Sequence, residues 1–421
     1  LPVEQTRKAA GKNLLAAFFI SMLYLRMNIN NNNFQKNSNI SRIIETIWRQ
    51  GEVSRIDIAR SLELYRSTVS NIIGSLIENN IIIETSSGES LPQGGRKPIY
   101  LNLNTSFGCV IGVEIQPKKY HAVIIDLNSS ILYSCTEETP SAELDDICSS
   151  IFSSLIEKTK ELGLPLLGIC AGLPGIIDAN MGKIIRSDPF DIVQDEFVKR
   201  YTEQYKIPVL IENDANCCAW LQLTLNRKEN LQDFILLLAE YHKANPKKNR
   251  KAGMGVGIAL SLQGKVRYGK DCGAGEFVSK SWKADSPGQT GLTEEVLETL
   301  LTHDSSYEQW VIDLFSTLVP FISILAPECL YIHGQPVQKK DFINSIIEEK
   351  IPQFSRVVEK TKCTLLFSND SEYDVAQGAA SMFLQRLFSV PDFSEIGSPV
   401  RFDWDSLFTL ARTQKDSLQK V

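Results

Sequence analysis

The side chains best placed to do chemistry cluster early in the chain: Arg66, Ser67, Thr68, Ser70 and Asn71. They take the outward positions of a helix whose inward stripe, Val69, Ile72, Ile73, Leu76 and Ile77, recurs at i, i+3, i+4, i+7 and i+8. A guanidinium can pair with guanine, a carboxamide with adenine, and hydroxyls with phosphates or base edges. A second basic group, Arg96 and Lys97, sits in the run Gly94-Gly95-Arg96-Lys97-Pro98. A cation on so loose a tip fits the narrow, strongly negative minor groove of A·T-rich DNA. The chemistry on offer is hydrogen-bonded recognition of a double helix, with Ser54 and Arg55 as further candidates at the start of the preceding helix.

Three short helices must hold that surface. Ile40, Ile43, Ile44, Ile47 and Trp48 form the apolar stripe of the first. Ser54-Arg55-Ile56-Asp57 reads as a capping box opening the second, whose inner face is Ile58, Ala59 and Leu62. A break at Leu64-Tyr65 precedes the third. That order makes a helix-turn-helix. Strand-like runs at Ile81–Glu84 and Pro98–Leu101 flank the glycine-rich loop and add a β-hairpin wing. The same fold also serves protein contacts, with a merely solvated third helix, and that alternative stays open.

Charge limits how such a module can work. Between residues 38 and 104, seven basic residues are balanced by seven acidic ones, and the whole chain stands at −6. Bulk electrostatics therefore cannot hold it on random DNA, so affinity must come from placed contacts and from two copies on a two-fold site. At 421 residues, 43% hydrophobic and 22% charged, the chain has the length for two or three domains and the composition to bury a large core. Its nine scattered cysteines, Cys109, Cys170, Cys217 and Cys218 among them, read as reduced core residues of a cytoplasmic protein.

Leu14–Leu25 is an apolar run following Arg7, Lys8 and Lys12. It is shorter than the about 20 residues a bilayer requires, although it resembles the core of a signal peptide. A DNA-binding module immediately downstream argues against export. We expect residues 1–26 to reflect a misplaced start, with the natural protein beginning at Met27, which its intact mass would check. The asparagine-rich stretch Asn28–Asn33 then leads into the first helix. The expected organisation is a leader over 1–36, the winged helix-turn-helix over 37–104, an α/β body over 105–388 and a tail over 389–421.

From Phe107 onward strands and helices alternate. Cys109–Ile115, His121–Leu127 and Ile131–Cys135 form a meander, followed by a helix near Ala142–Leu162 and a strand at Pro165–Ala171. A helix near Asp191–Tyr205 and a strand at Pro208–Ile211 complete the first half. Strands at Phe234–Leu238 and Gly255–Leu262 open the second, with helices near Leu292–Leu301 and Tyr307–Leu325. Strands at Leu330–His333 and Thr364–Phe367 and a last helix over Asp374–Phe388 close it. Two α/β halves of this kind suggest a bilobal fold with a cleft between the lobes.

Several motifs, taken in their order, are those of a known family. They are Ser41-Arg42-Ile43-Ile44, Ser54-Arg55-Ile56-Asp57-Ile58-Ala59, Ser67-Thr68-Val69-Ser70, Gly94-Gly95-Arg96-Lys97-Pro98, Gly172-Leu173-Pro174-Gly175, Glu212-Asn213-Asp214-Ala215-Asn216, Gly253-Met254-Gly255-Val256-Gly257, Gly273-Ala274-Gly275-Glu276 and Gly378-Ala379-Ala380. Over Asn37–Phe388 the chain resembles the ROK family of repressors, open reading frames and sugar kinases. The resemblance implies an α/β fold class: an N-terminal winged helix-turn-helix followed by a bilobal, actin/hexokinase-like (ribonuclease H-like) domain. The winged helix selects the repressor branch.

The departures from the family pattern bear on chemistry. Where ROK kinases carry an Asp-x-Gly-x-Thr phosphate loop, this chain has Glu114-Ile115-Gln116-Pro117-Lys118, with a proline that has no N–H to give. The second phosphate loop keeps Gly253, Gly255 and Gly257 but has Met254 where a hydroxyl is usual, after a basic insertion from Lys243 to Lys251. Asp214 resembles the catalytic base of the kinases. Without a phosphoryl donor the resemblance implies instead an effector site, with Asn213, Asp214 and Glu276 hydrogen-bonded to a sugar; the alternative is a plain helix cap at Asn213-Asp214. The family's zinc pattern is missing: Ser279 stands at its histidine, and no cysteine occurs between Cys272 and Cys329. No metal and no cofactor are expected.

Three functions compete on this evidence. One is a repressor of sugar-utilisation genes, released from its DNA operator by a monosaccharide and acting as a homodimer or higher homo-oligomer without a membrane. Another is a repressor with a vestigial cleft, controlled by a protein partner. The third is a sugar kinase with a regulatory domain attached. For the first two, Arg66→Ala should relax base preference and cost about 1–3 kcal/mol of operator binding, while Arg96→Ala should selectively weaken sites with A·T-rich flanks. Gel-shift titration against the upstream DNA checks both, and unchanged binding by both variants would overturn the winged-helix placement.

Overall fold

The computed structural model describes residues 35–87, 99–141, 143–244, 251–369, 372–390 and 402–418. The leader, the wing tip with Arg96 and Lys97, and most of the basic insertion lie outside the described residues. The described chain divides into two compact units, one built mainly from the residues before 103 and the other mainly from those after.

The first unit runs α1 (35–50), β1 (Val53–Ser54), α2 (Arg55–Ser61), α3 (Arg66–Glu78), β2 (Ile82–Ser87) and β3 (Ile99–Leu103). The expected stripe of α1 is wholly buried: Ile40, Ile43, Ile44, Ile47 and Trp48. Ser54 caps α2, its Oγ accepting the Asp57 N–H at 3.3 Å and donating to Asp57 Oδ2 at 2.6 Å. Glu63, in the left-handed region at φ 53°, turns the chain, and Leu64 N–H returns to Ala59 O at 3.0 Å before α3 begins. Val69, Ile73 and Leu76 are the buried face of α3. The three strands form one sheet in the order β1-β3-β2.

The tail supplies the rest of this core. The sequence reading placed no element after Phe388, yet a helix, α12 below, runs over Trp404–Leu418. Its first residue is buried, with Trp404 Nε1 donating to Ser41 Oγ at 3.0 Å. Phe388 stacks on Trp404 with centroids 6.4 Å apart and meets Trp48 edge-on at 5.1 Å. Two aromatic side chains more than 280 positions away in sequence thus complete the helical unit, and periodicity within residues 37–104 cannot reveal them.

The second unit holds two five-stranded sheets. The first contains β4 (Cys109–Ile115), β5 (Lys119–Ile125), β6 (Ile131–Glu138), β7 (Leu166–Leu173) and β11 (Val209–Asn213), in the order β11-β7-β4-β5-β6. Helix α4 (Leu144–Glu161) joins β6 to β7. Between β7 and β11 lies a small sheet of β8 (Ile176–Asp178), β9 (Lys183–Ser187) and β10 (Ile192–Asp195), followed by α5 (Phe197–Tyr205). The expected helix at Asp191 therefore starts later, because Ile192–Asp195 pairs with β9 instead. Helix α6 (Asp214–Leu225) then leads to the second sheet.

That sheet takes β12 (Phe234–His242), β13 (Gly253–Leu262), β14 (Lys265–Val266), β15 (Cys329–Gly334) and β16 (Thr364–Phe367), in the order β14-β13-β12-β15-β16. Helices α7 (Glu294–Glu298), α8 (Asp304–Leu325), α9 (Lys340–Lys350) and α10 (Pro352–Thr361) accompany it, and α11 (Asp374–Phe388) and α12 (Trp404–Leu418) follow. By length and composition α8 could cross a membrane, but Trp310, Leu314, Leu318 and Ile322 lie in the hydrophobic core of this sheet.

Helix α6 begins at the Asn213 cap that the sequence left as an alternative, but its extent carries no signal, because it is buried around almost its whole circumference and has no polar stripe. Glycines let its neighbours in. A Cβ at Gly378 of α11 would stand 1.9 Å from Cys217 O of α6, and one at Gly112 of β4 would stand 2.0 Å from Ala376 O. In this unit Gln414 of α12 also brackets Leu166, accepting its N–H at 2.7 Å and donating to its carbonyl at 2.9 Å.

The aromatic closure of the first unit makes a clear expectation. Trp404→Ala should cost about 3–5 kcal/mol, as for large buried aromatics, and should speed amide exchange across residues 35–50 and 99–103. Exchange in that unit at the wild-type rate would show that Trp404 is dispensable to it.

Candidate effector and DNA sites

The junction of β11 and α6 builds the first candidate site. Asn213 caps α6, its Oδ1 accepting the Asn216 N–H at 3.2 Å while its Nδ2 donates to Gly175 O at 3.0 Å. Gly175 lies at φ +146°, with no room for a Cβ beside the Arg186 carbonyl, so this approach requires glycine. Beneath the cap sits Glu212, with no solvent exposure. Its carboxylate accepts from Asn213 N–H at 2.8 Å, Asn216 Nδ2 at 3.2 Å, Trp220 Nε1 at 3.1 Å and Tyr268 Oη at 2.6 Å. Burial raises its pKa, and these donors pull it partly back.

A narrow polar cleft opens above this junction, lined by Gly175, Asn213, Asn216, Gly257, Cys272 and Glu276 among others. One wall comes from the first sheet and α6, the other from β13 and the segment after β14. Asn213 and Glu276 thus line one cleft, whereas Asp214 is not among the lining residues. Asp214 Oδ1 instead accepts the Ala215 N–H at 2.8 Å. Desolvation pushes its carboxyl up to about 6 despite that bond, with Glu240 and Glu276 adding to the rise. Asn216, Glu212, Trp220 and Tyr268 were missed from the sequence. The first two stood inside a quoted motif, but nothing local to Trp220 or Tyr268 announces them.

The β4–β5 turn, where the kinase pattern would place its phosphate loop, has side chains bonded to one another. Gln116 N–H bonds to Lys119 O at 3.0 Å, closing the β4–β5 hairpin around Pro117 and Lys118. Gln116 Nε2 then donates to Glu114 Oε1 at 2.5 Å and, across to the second sheet, to Glu240 Oε2 at 2.9 Å. Glu114 is buried, and burial, then Glu240, then Asp214 raise its pKa well above the carboxylate range. A nucleotide phosphate brought here would face three carboxylic groups and lack the loop N–H groups it needs.

The segment after Gly273 carries no zinc donor set. Ser279 occupies the position of the family's histidine and bonds Ser281 at 2.8 Å between hydroxyl oxygens. Among the described residues no group of three or more His, Cys, Asp and Glu side chains could hold a metal. The residues present do not fit zinc.

The DNA candidates separate into two sets. Arg66, Ser67, Ser70 and Asn71 are exposed along α3, and Thr68 is half-buried beside them. Ser54 is buried and committed to its cap, and Arg55 Nη2 pairs with Glu84 at 2.8 Å. These two act on the placement of α2 rather than presenting a free polar surface. Arg96 and Lys97 lie outside the described residues.

Comparison with known proteins agrees with this architecture. Residues 110–277 match the ROK family. A xylose repressor from Lactiplantibacillus pentosus is 23% identical over 85% of this chain and 95% of its own length. A xylose repressor from Staphylococcus xylosus is 27% identical over 66% of this chain, which spans 65% of that protein, just under two thirds. The crystal structure of a ROK family transcriptional regulator, a homologue of the E. coli Mlc protein, superposes at a TM-score of 0.65 with 16% identity, over 91% of this chain and 99% of that one.

The elevated Asp214 carboxyl makes stability depend on pH. Between its ordinary 3.8 and about 6 the native state holds a proton that the unfolded chain has released, so this contribution to stability falls as pH rises through that window. The wild-type urea midpoint should therefore gain on that of Asp214→Asn as pH is lowered from about 6 toward 4. Parallel profiles would refute the elevated carboxyl. The β11–α6 junction and the cleft above it lie within residues 110–277, the stretch that matches the ROK family.

Proposed function

We propose that the protein is a cytoplasmic, DNA-binding transcriptional repressor of sugar-utilisation genes that binds its operator as a homodimer and is released by a monosaccharide. One observation carries this reading: an exposed hydrogen-bonding face on α3 shares a chain with a polar cleft lined by Asn213 and Glu276, while Glu114, Gln116 and Glu240 are bonded to one another where a phosphate loop would lie. The names of the xylose repressors support it. In this reading Arg66, Ser67, Thr68, Ser70 and Asn71 read bases, with Arg96 and Lys97 in the adjacent minor groove. Asn213 and Glu276 bond sugar hydroxyls, and Asp214 holds the first turn of α6 at the edge of the cleft. The chain is not an enzyme, because Asp214 has no phosphoryl group to direct a hydroxyl toward. A sugar that binds one spacing of the lobes better than the other shifts the population between them and, with it, the half-site spacing of the two winged helices.

The test is gel-shift binding to the upstream DNA with and without D-xylose, D-glucose and N-acetylglucosamine, beside an ATP-turnover assay. Release by one sugar with no turnover is expected. Binding that no sugar alters favours control by a protein partner, and sugar-dependent ATP turnover would replace the repressor reading with the kinase.

A further inference from the structure

The wall of the cleft that carries Glu276 is made of two strands of chain held side by side. Ile258 N–H donates to Gly275 O at 3.1 Å, and Gly257 pairs with Glu276 in an isolated antiparallel bridge. A single bridge between a strand and an irregular segment is a weak tie, since it lacks the ladder that makes pairing cooperative. In the zinc-binding relatives implied by the motif pattern, a metal just beyond the glutamate would hold this segment. The donor set here cannot do so, and the segment must be held by other means.

Gln289 is placed to do it. Its Oε1 accepts the Val256 N–H at 2.7 Å, and its Nε2 donates to Val256 O at 2.8 Å and to Phe277 O at 3.1 Å. The carboxamide therefore satisfies both backbone groups of the residue before Gly257 and the carbonyl of the residue after Glu276. It extends the pairing on the outer side of the bridge as another strand residue would, using three of the four hydrogen bonds an amide can make. The main chain of Gln289 adds a fourth tie, its carbonyl accepting the Ser279 N–H at 2.8 Å. The remainder of the loop is secured likewise: Gly291 N–H bonds Ser281 Oγ at 2.8 Å, and Lys280 N–H bonds Thr317 Oγ1 of α8 at 3.1 Å. Nowhere in this set does a thiolate or imidazole take part.

We propose that Gln289 is a positioning residue of the effector site, an organic crosslink that takes over from a metal the task of fixing Glu276 against Gly257. The protein is then a metal-independent member of its family, with ligand affinity dependent on one carboxamide. This inference rests on the cleft being the effector site, and its test includes a measurement that needs no effector.

The experiment compares wild type with Gln289→Ala and Gln289→Glu. Glutamate keeps an acceptor for Val256 N–H but loses both donors, so the two variants separate the contributions of the amide's two ends. In the absence of sugar, exchange at the Ile258 amide, which bonds Gly275, should accelerate at least about tenfold in Gln289→Ala, with exchange in residues 35–87 unchanged. Operator binding without sugar should stay within about twofold of wild type. The D-xylose concentration that releases half the DNA should rise about tenfold or more, and less for Gln289→Glu. Elemental analysis should find no stoichiometric zinc in wild type, and chelator should leave its sugar response unchanged. Wild-type exchange and sugar response in Gln289→Ala, or a bound zinc whose removal abolishes the response, would overturn the proposal. If wild type itself ignores D-xylose and every other sugar, the effector reading fails, and the exchange measurement still decides whether Gln289 holds this wall.

Discussion

Glu212 is the constraint around which the second unit is organised. A carboxylate with no access to water is costly unless its oxygens are bonded, and here they accept from the backbone of Asn213 and the side chains of Asn216, Trp220 and Tyr268. Two of those donors, Asn213 and Asn216, lie at or just before the start of α6, Trp220 lies in its middle, and Tyr268 follows β14. The same bonds that satisfy Glu212 therefore fix where α6 begins, which way Asn213 faces and how the segment after β14 approaches. Losing one donor would leave a buried acceptor short, a cost of about 1–3 kcal/mol, so the geometry is held more tightly than a surface cap could hold it.

A second acidic group lies near this junction. Glu114, Glu240 and Asp214 stand within electrostatic reach of one another, and the Gln116 amide bridges the first two. Burial is the main cause of their raised carboxyl pKa values, the neighbouring acids add to it for Glu114 and Asp214, and the Gln116 amide opposes it for Glu114 and Glu240.

In the first unit the polar surface of α3 depends on packing elsewhere. Ser54 and Asp57 close the start of α2, Glu63 turns the chain, and the buried stripes of α1 and α3 form the base of the helical core. Phe388 and Trp404 complete that base. Without them Trp48 would lose its edge-on partner, and Ser41 the indole donor it accepts. The first unit is a discontinuous one, and a fragment ending at residue 104 would carry the polar face of α3 on an incomplete core.

By itself the sequence determined what local periodicity can encode: the three helices of the first unit, the capped start of α2, the strands of both sheets except β14 and the exposed polar positions of α3. It also carried the glycine and carboxamide motifs that place Asn213 and Glu276 in one cleft. Where two features competed locally, it failed. The segment at Ile192–Asp195 takes a strand partner rather than a helix, and α6, apolar all round, has no amphipathic signal to read. Only the tertiary structure decided that Gln116 meets Glu240, that Tyr268 reaches Glu212, that Trp404 fills the first unit and that Gln289 spans Val256 and Phe277. Each is a contact between single side chains distant in sequence, and no spacing rule reaches that far. Their partners are chosen by burial and hydrogen-bond demand, which exist only once the chain has closed.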